Sequence, residues 1–107
     1  MVNIEKIELE REEVNALIKA VLYLKFDCED TDSLLYASSP LINSALDKMI
    51  SMYGYKDDWE KVFAKLPDRN KKLAINKIES SEKEDGIELE VGVKDEVLTQ
   101  YLHPYKV

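Results

Sequence analysis

Apolar side chains recur every three or four residues over the first long segment of the chain, as on one face of an α-helix. The residues with this spacing are Val14, Leu17, Ile18, Val21 and Leu24. The spacing predicts a helix from Arg11 to about Asp27, buried over much of its circumference. Glutamates just before the helix and in its first turn suit the positive N-terminal end of a helix dipole.

The next predicted helix has clear signals at both ends. Ser39 is a suitable N-cap, Pro40 takes the first helical position, where its missing N–H is harmless, and Gly54 follows the last helical residue. Apolar residues recur on one side of this segment and predict a stripe that faces the core. The stripe comprises Leu41, Ile42, Ala45, Leu46, Met49, Ile50 and Tyr53.

Two further helices are predicted in the middle of the chain. Asp57 and Glu60 have the spacing of a capping box, and Pro67 ends the apolar-faced segment that follows them. Residues 68–79 favour a fourth helix, although the part from 71 to 79 also fits an alternating strand. A polar turn is expected over residues 80–86.

Strict alternation of apolar and polar residues appears near the C-terminal end, where Ile87, Leu89, Val91 and Val93 alternate with Glu88, Glu90 and Gly92. This pattern predicts a strand, and a strand needs a partner for its backbone hydrogen bonds. The N-terminal segment 4–10 is the best candidate. The sequence therefore predicts a predominantly helical α+β domain of about four helices with a short two-stranded β element pairing the N-terminal segment with residues 87–93. The alternative is an all-α domain with a C-terminal hairpin.

The length of 107 residues predicts a single domain. The apolar runs are too short for the roughly 20 residues that span a bilayer, and the N-terminal residues lack the features of a secretory signal. The lone cysteine, Cys28, agrees with a reducing compartment. A cytoplasmic protein is expected.

The net charge of −7 argues against direct binding to nucleic acid or to an anionic membrane, because both need a positive field. The acidity is uneven: residues 1–32 have a net charge of −5 and residues 81–107 a net charge of −4, on either side of a neutral middle and a small basic segment. That basic segment contains Arg69, Lys71, Lys72 and Lys77, and it is interpreted as a solvated helix face.

Residues with catalytic or metal-binding chemistry are few. One His and one Cys cannot form a zinc site of the usual composition, and the acidic run from Asp27 to Asp32 lacks the glycine of a calcium loop. His103 lies close to the end of the chain, where a rigidly placed base is unexpected, and Cys28 is flanked by two carboxylates that disfavour a thiolate. No cofactor and no metal are predicted.

Aromatic residues cluster at the junction of the second and third predicted helices, next to acidic ones. Tyr and Trp are enriched at interface hot spots, and carboxylates suit a basic partner. The predicted partner-binding residues are Tyr55, Asp57, Asp58 and Trp59 at this junction, with Glu29, Asp30 and Asp32 from the acidic connector. The alternative interpretation is that Tyr53 and Trp59 merely close the core at a helix turn.

The functional hypothesis is a non-enzymatic, acidic, protein-binding module, such as an inhibitor, an immunity-like or antitoxin-like protein, or an adaptor, of the kind found among phage and bacterial accessory proteins. Its partner is expected to be another protein with a basic surface. The alternatives are a nucleic-acid mimic that blocks a DNA- or RNA-binding enzyme, and a small carboxylate-dependent enzyme. A homodimer through the apolar face of the first helix is compatible with each of them.

Overall fold

The computed structural model describes residues 3–52 and 55–105 and, for residues 55–57, the backbone alone. In these residues the chain forms six α-helices and one 3₁₀ turn. The helices are α1 (Arg11–Phe26), α2 (Leu34–Ala37), α3 (Pro40–Ile50), α4 (Tyr55–Val62), α5 (Asp68–Asp85) and α6 (Val91–Leu102), and the 3₁₀ turn (Thr31–Ser33) leads directly into α2.

Helix α1 begins and ends close to the positions that the sequence predicts. The Glu13 carboxylate accepts a hydrogen bond from the backbone N–H of Glu10, which precedes the helix, at 2.8 Å. Fewer of its apolar residues are buried than predicted, however, since Leu17 and Tyr23 are exposed. The helix buries one stripe against its neighbours rather than most of its circumference.

The start of α3 is also confirmed. The Ser39 hydroxyl accepts a hydrogen bond from the N–H of Ile42 at 3.3 Å, and Pro40 is the first helical residue. The predicted end is wrong, because α3 ends at Ile50, and Gly54 lies outside the described residues.

The two helices that follow differ from the prediction at their ends. Helix α4 already begins at Tyr55, so Asp57 lies within it and is not its N-cap. Helix α5 continues through the predicted polar turn to Asp85. Its C-cap is Gly86, whose φ of 67° is the left-handed conformation that favours glycine. The alternative strand over 71–79 is therefore wrong.

The predicted β element is not present in the described residues, and the α+β fold class is wrong. Residues 3–10 form neither helix nor strand. The segment 87–90 is a loop whose N–H groups bond to α5: Ile87 donates to the Glu82 carbonyl at 3.2 Å, and Leu89 donates to the Glu82 carboxylate at 2.8 Å. Because these donors have partners in α5, no strand ladder is needed. The predicted C-terminal hairpin is also wrong, since α6 begins at Val91, which is 78% exposed.

Most of the buried apolar side chains in the described residues fall into two groups, each with members on α1. One group, here the apolar cluster, joins α1 and α3 to the residue that follows α4. Its members are Val14, Ile18, Leu46, Ile50 and Phe63. The other group, here the mixed cluster, lies nearer the C-terminal end of α1, and its members are Phe26, Ala37, Ala74, Tyr101 and Leu102. Leu22 and Tyr105 pack against both groups and connect them.

Candidate protein-binding surface

A cavity of about 450 Å³, here the acidic groove, lies between the 3₁₀ turn with α2, the end of α5, and the loop into α6. Its apolar side chains are Leu34, Leu35, Leu89 and Val97. Leu35 is 72% exposed although it is a large aliphatic residue. The groove therefore presents apolar surface to solvent.

Three carboxylates stand around this apolar surface. Asp32 comes from the acidic connector, and Glu84 and Asp85 come from the last turn of α5. The Thr31 hydroxyl donates to the Glu84 carboxylate at 2.6 Å, which joins the two acidic parts of the chain. None of the described side chains that line the groove belongs to Lys or Arg. The groove thus combines apolar contact with a local negative field.

The loop that supplies Leu89 to the groove is held by an ion pair. The Glu82 carboxylate accepts hydrogen bonds from the Lys94 ammonium at 2.7 Å and from the Leu89 N–H at 2.8 Å. These two bonds lower the pKa of Glu82, and the same contact raises the pKa of Lys94. The ion pair fixes the start of α6 relative to the end of α5. The shape of the groove depends on this relative position.

A second, smaller cavity of about 210 Å³, here the Trp59 cleft, lies between α3, α4 and the residues after α6. The indole of Trp59 stacks on the ring of Phe63, with centroids 5.5 Å apart and an interplanar angle of 14°. Asp47 and Glu60 also line the cleft, and the Asp47 carboxylate lies 2.6 Å from Nε2 of His103. The cleft therefore joins an aromatic surface to two carboxylates.

The acidic connector has a structural role that the sequence did not reveal. The Asp30 carboxylate accepts a hydrogen bond from the N–H of Asp32 at 3.0 Å and caps the 3₁₀ turn. Of the three connector residues predicted to bind a partner, Glu29, Asp30 and Asp32 are all exposed, and Asp32 lines the acidic groove.

The predicted aromatic junction is described only in part. Tyr53 and Gly54, and the side chains of Tyr55 and Asp57, lie outside the described residues. Asp58 is exposed, whereas Trp59 is half-buried and packs against the apolar cluster. Trp59 thus contributes both to the core and to the cleft.

Two buried lysines form the feature that sequence reasoning missed. Lys25, in the last turn of α1, is 0% exposed, and its ammonium donates to the carbonyl oxygens of Ala37 at 2.8 Å, Gln100 at 3.0 Å and Tyr101 at 3.0 Å. Ala37 ends α2, and the other two carbonyls belong to the last turn of α6. The last four carbonyls of a helix have no partner within it, so this one ammonium completes two helix ends.

The second lysine acts on α1 in the same way. Lys77 of α5 donates to the carbonyl of Leu24 at 3.0 Å and to the hydroxyl of Ser33 at 2.6 Å. Its ammonium also lies 5.0 Å from the centroid of the Tyr101 ring, within range of a cation–π interaction. The hydroxyl of Tyr101 donates to the carbonyl of Lys25. Lys25, Lys77 and Tyr101 are here called the lysine centre.

Burial has a strong electrostatic effect on this centre. It lowers the pKa of Lys25 from 10.5 to about 7, although the negative charge of Asp47 acts to raise this pKa. It also lowers the pKa of Lys77 and raises the pKa of Tyr101. The carbonyls at the helix ends have partial negative charge and favour the charged ammonium. The centre is buried and positions α2 and the 3₁₀ turn, which form one wall of the acidic groove.

A signal for both lysines was present in the sequence. Lys25 follows Ile18 by seven residues, and Lys77 follows Ala74 by three, so each lies on the buried face of its helix. The interpretation of Lys77 as part of a solvated basic face is therefore wrong. Its neighbours in that predicted face, Arg69, Lys71 and Lys72, are exposed.

The two residues considered for catalysis have definite positions. His103 follows α6 as its C-cap and contacts Asp47, so it is held in place rather than loose. Cys28 is partly buried, and its N–H donates to the carbonyl of Tyr23 at 2.9 Å. Among the described residues, no three or more His, Cys, Asp or Glu side chains are grouped so as to hold a metal ion.

Across the described ranges 3–52 and 55–105, no helix has both the length and the apolar character needed to cross a membrane. Comparison with protein-family models, with curated proteins and with solved structures finds no match for this chain.

Proposed function

We propose that the protein is a non-enzymatic binding module that engages a basic segment of another protein through the acidic groove. The observation that supports this proposal best is the position of three carboxylates, Asp32, Glu84 and Asp85, around the exposed Leu35 and its half-buried aliphatic neighbours. The carboxylates come from parts of the chain that are about 50 residues apart in sequence, and Thr31 connects them through its bond to Glu84.

The groove has the two properties that an amphipathic basic segment requires. Leu35 and its aliphatic neighbours offer apolar contact, and the three carboxylates attract Lys or Arg side chains that flank an apolar anchor. Charge attraction of this kind mainly accelerates association and weakens with added salt. A salt-sensitive complex with a basic protein is therefore expected.

The nucleic-acid mimic remains the alternative. A mimic would need carboxylates along one face at the spacing of phosphates, and it would have little use for aliphatic side chains between them. The exposed Leu35 in the groove favours the protein-segment proposal over the mimic. Duplex DNA should compete with this protein for its partner only if the mimic is correct.

The experiment is a pull-down from a lysate of the source cells with the immobilised full chain at low and moderate ionic strength. Two groove variants are compared with the wild type: the triple variant Asp32→Asn/Glu84→Gln/Asp85→Asn, and Leu35→Ala. The matched controls remove three exposed carboxylates elsewhere, Glu5→Gln/Glu8→Gln/Asp95→Asn, or an exposed leucine of α3, Leu41→Ala.

We expect the wild type and both controls to retain a basic protein at low ionic strength. Both groove variants should fail to retain it. Retention that is equal for the groove variants and the controls would contradict it, as would the absence of any retained protein. Displacement of the retained protein by duplex DNA would favour the mimic instead.

A further inference from the structure

The Trp59 cleft has the volume of a site for one side chain. Its volume of about 210 Å³ is below the range of roughly 300–1,000 Å³ that is usual for pockets holding whole small molecules. Ile50, Trp59, Phe63 and Pro104 form its apolar walls. The cleft is therefore large enough to accommodate one long side chain.

The charges at the cleft decide which kind of side chain it suits. Asp47 and Glu60 both line it together with the imidazole of His103, and no Lys or Arg is among the described residues that do so. The contact with His103 at 2.6 Å holds the Asp47 carboxylate in place, while the Asp47 side chain remains 55% exposed. A carboxylate accepts several hydrogen bonds at once, so Asp47 can still bind a donor from outside.

The aromatic surface further restricts which cationic side chain the cleft suits. Phe63 stacks on Trp59 and holds the indole in a fixed orientation. A cation is attracted to the face of an aromatic ring, and tryptophan is the strongest partner for it. Among natural cationic side chains, the planar guanidinium of arginine both stacks on an aromatic ring and pairs with a carboxylate through several donors.

We propose that the Trp59 cleft is an anchor site for one arginine side chain of the partner protein. The guanidinium lies against the indole of Trp59 and donates to the carboxylates of Asp47 and Glu60. The aliphatic stem packs on Ile50 and Pro104. The inference rests on the proposed function only in attributing the arginine to a partner protein, and the site can be tested without that partner.

The test uses the intrinsic fluorescence of Trp59, which is the only tryptophan in the chain. The full chain is titrated with N-acetyl-arginine amide, with the lysine analogue, and with N-acetyl-citrulline amide, which has the shape of the arginine compound but no charge. Far-UV circular dichroism at each concentration ensures that the chain remains folded. The expected result is a saturable change for arginine, with an affinity about twofold to fivefold tighter than for citrulline.

Variants locate the site. Glu60→Gln should reduce the affinity for the arginine compound, whereas Asp95→Asn, at an exposed carboxylate of α6 outside the cleft, should leave it unchanged. Equal affinities for arginine and citrulline, tighter binding of lysine, or equal effects of the two substitutions would each overturn the proposal.

The arginine titration and the pull-down test separate claims, and either can fail without the other. A saturable arginine signal that Glu60→Gln weakens would support the cleft even if no protein is retained from the lysate, and the proposed function alone would then fail. Conversely, a retained basic protein together with no response to arginine would overturn the cleft and leave the acidic groove as the binding site.

Discussion

The two halves of the core are built from different chemistry along the same helix. Near the start of α1, Val14 and Ile18 pack against Leu46 in an apolar cluster. Near its end, the mixed cluster surrounds two buried ammonium groups, those of Lys25 and Lys77. The difference arises because three helix C-termini meet at the second site, and each brings carbonyls that need donors.

The comparison shows why burying a cation is tolerated at one end only. An ammonium in the apolar cluster would find no acceptors and would incur the full cost of desolvation. In the lysine centre, the three donors of Lys25 meet three carbonyls. Apolar contact is non-directional, so the first half of the core depends on volume, whereas the second half depends on the positions of particular atoms.

The largest expected effect of a single substitution concerns volume in the apolar cluster. Leu46→Ala should lower the free energy of unfolding by about 3–4 kcal/mol, because it leaves a cavity at a fully buried position. Leu41→Ala, on the same helix but 83% exposed, is the control and should change it by less than about 1 kcal/mol. Urea denaturation followed by far-UV circular dichroism measures both. Similar losses for the two variants would mean that α3 does not pack through Leu46.

The matching experiment in the lysine centre replaces Lys25 with an apolar residue of similar length. Lys25→Met should lower the free energy of unfolding by about 2–3 kcal/mol, because the carbonyls of Ala37 and Tyr101 lose their donor, and only part of this loss is offset by relief from burying a charge. The carbonyl of Gln100 keeps the hydrogen bond that the Asn43 side-chain amide donates to it at 2.8 Å. Lys19→Met, at an exposed position of α1, is the control. A Lys25→Met variant as stable as the wild type would show that the carbonyls do not require the ammonium.

The pH dependence of stability should separate the two halves. Lys25 has a pKa of about 7 when folded and 10.5 when exposed, so between these values the unfolded chain binds a proton that the folded chain does not. Stability should therefore rise with pH from about 7 towards 10, by at most about 1.4 kcal/mol per pH unit for this one group. Below pH 7 both states are protonated and this contribution is constant.

Above pH 10 the trend should reverse, because the raised pKa of Tyr101 keeps its hydroxyl protonated in the folded state while the unfolded chain ionises. The urea midpoint measured from pH 6 to 11 tests both limbs. Lys25→Met should flatten the rising limb, whereas Leu46→Ala should lower the whole curve without changing its shape. A flat profile for the wild type would contradict the expected titration of the centre.

The smallest expected effect concerns one hydroxyl. Tyr101→Phe should lower the free energy of unfolding by about 1–2 kcal/mol, because the carbonyl of Lys25 loses its donor inside the core. Tyr36→Phe, at an exposed tyrosine, is the control and should be nearly neutral. Equal effects of these substitutions, measured by urea denaturation, would mean that the Tyr101 hydroxyl does not stabilise the centre.

The predictions from the sequence were correct where tertiary contacts do not override a local pattern. The N-cap of Ser39 with Pro40 after it identified the start of α3, and the spacing of apolar residues identified α1 within one residue at its end. It failed over residues 87–93, where alternation predicted a strand. There the Glu82 carboxylate and carbonyl bind the loop, and the apolar residues Ile87 and Val91 remain exposed.

The sequence indicated single residues of the candidate binding surfaces, but not how these residues are arranged. Asp32 and Trp59 were named from their residue types, and each lines one of the two cavities. Asp32 lines the same cavity as Glu84 and Asp85, and Trp59 lines the same cavity as Asp47 and His103. These arrangements depend on long-range contacts, such as those of Thr31 with Glu84 and of His103 with Asp47, that no local pattern encodes.

The sequence by itself determined that the chain is acidic and largely helical, because composition and apolar spacing are properties of the chain alone. The tertiary structure decided which polar residues are inside. Lys25 and Lys77 lie on apolar faces of their helices, and only the meeting of three helix ends supplies the carbonyls that make their burial stable. The same packing places α2 and its 3₁₀ turn beside the end of α5, and so it forms the acidic groove from distant carboxylates.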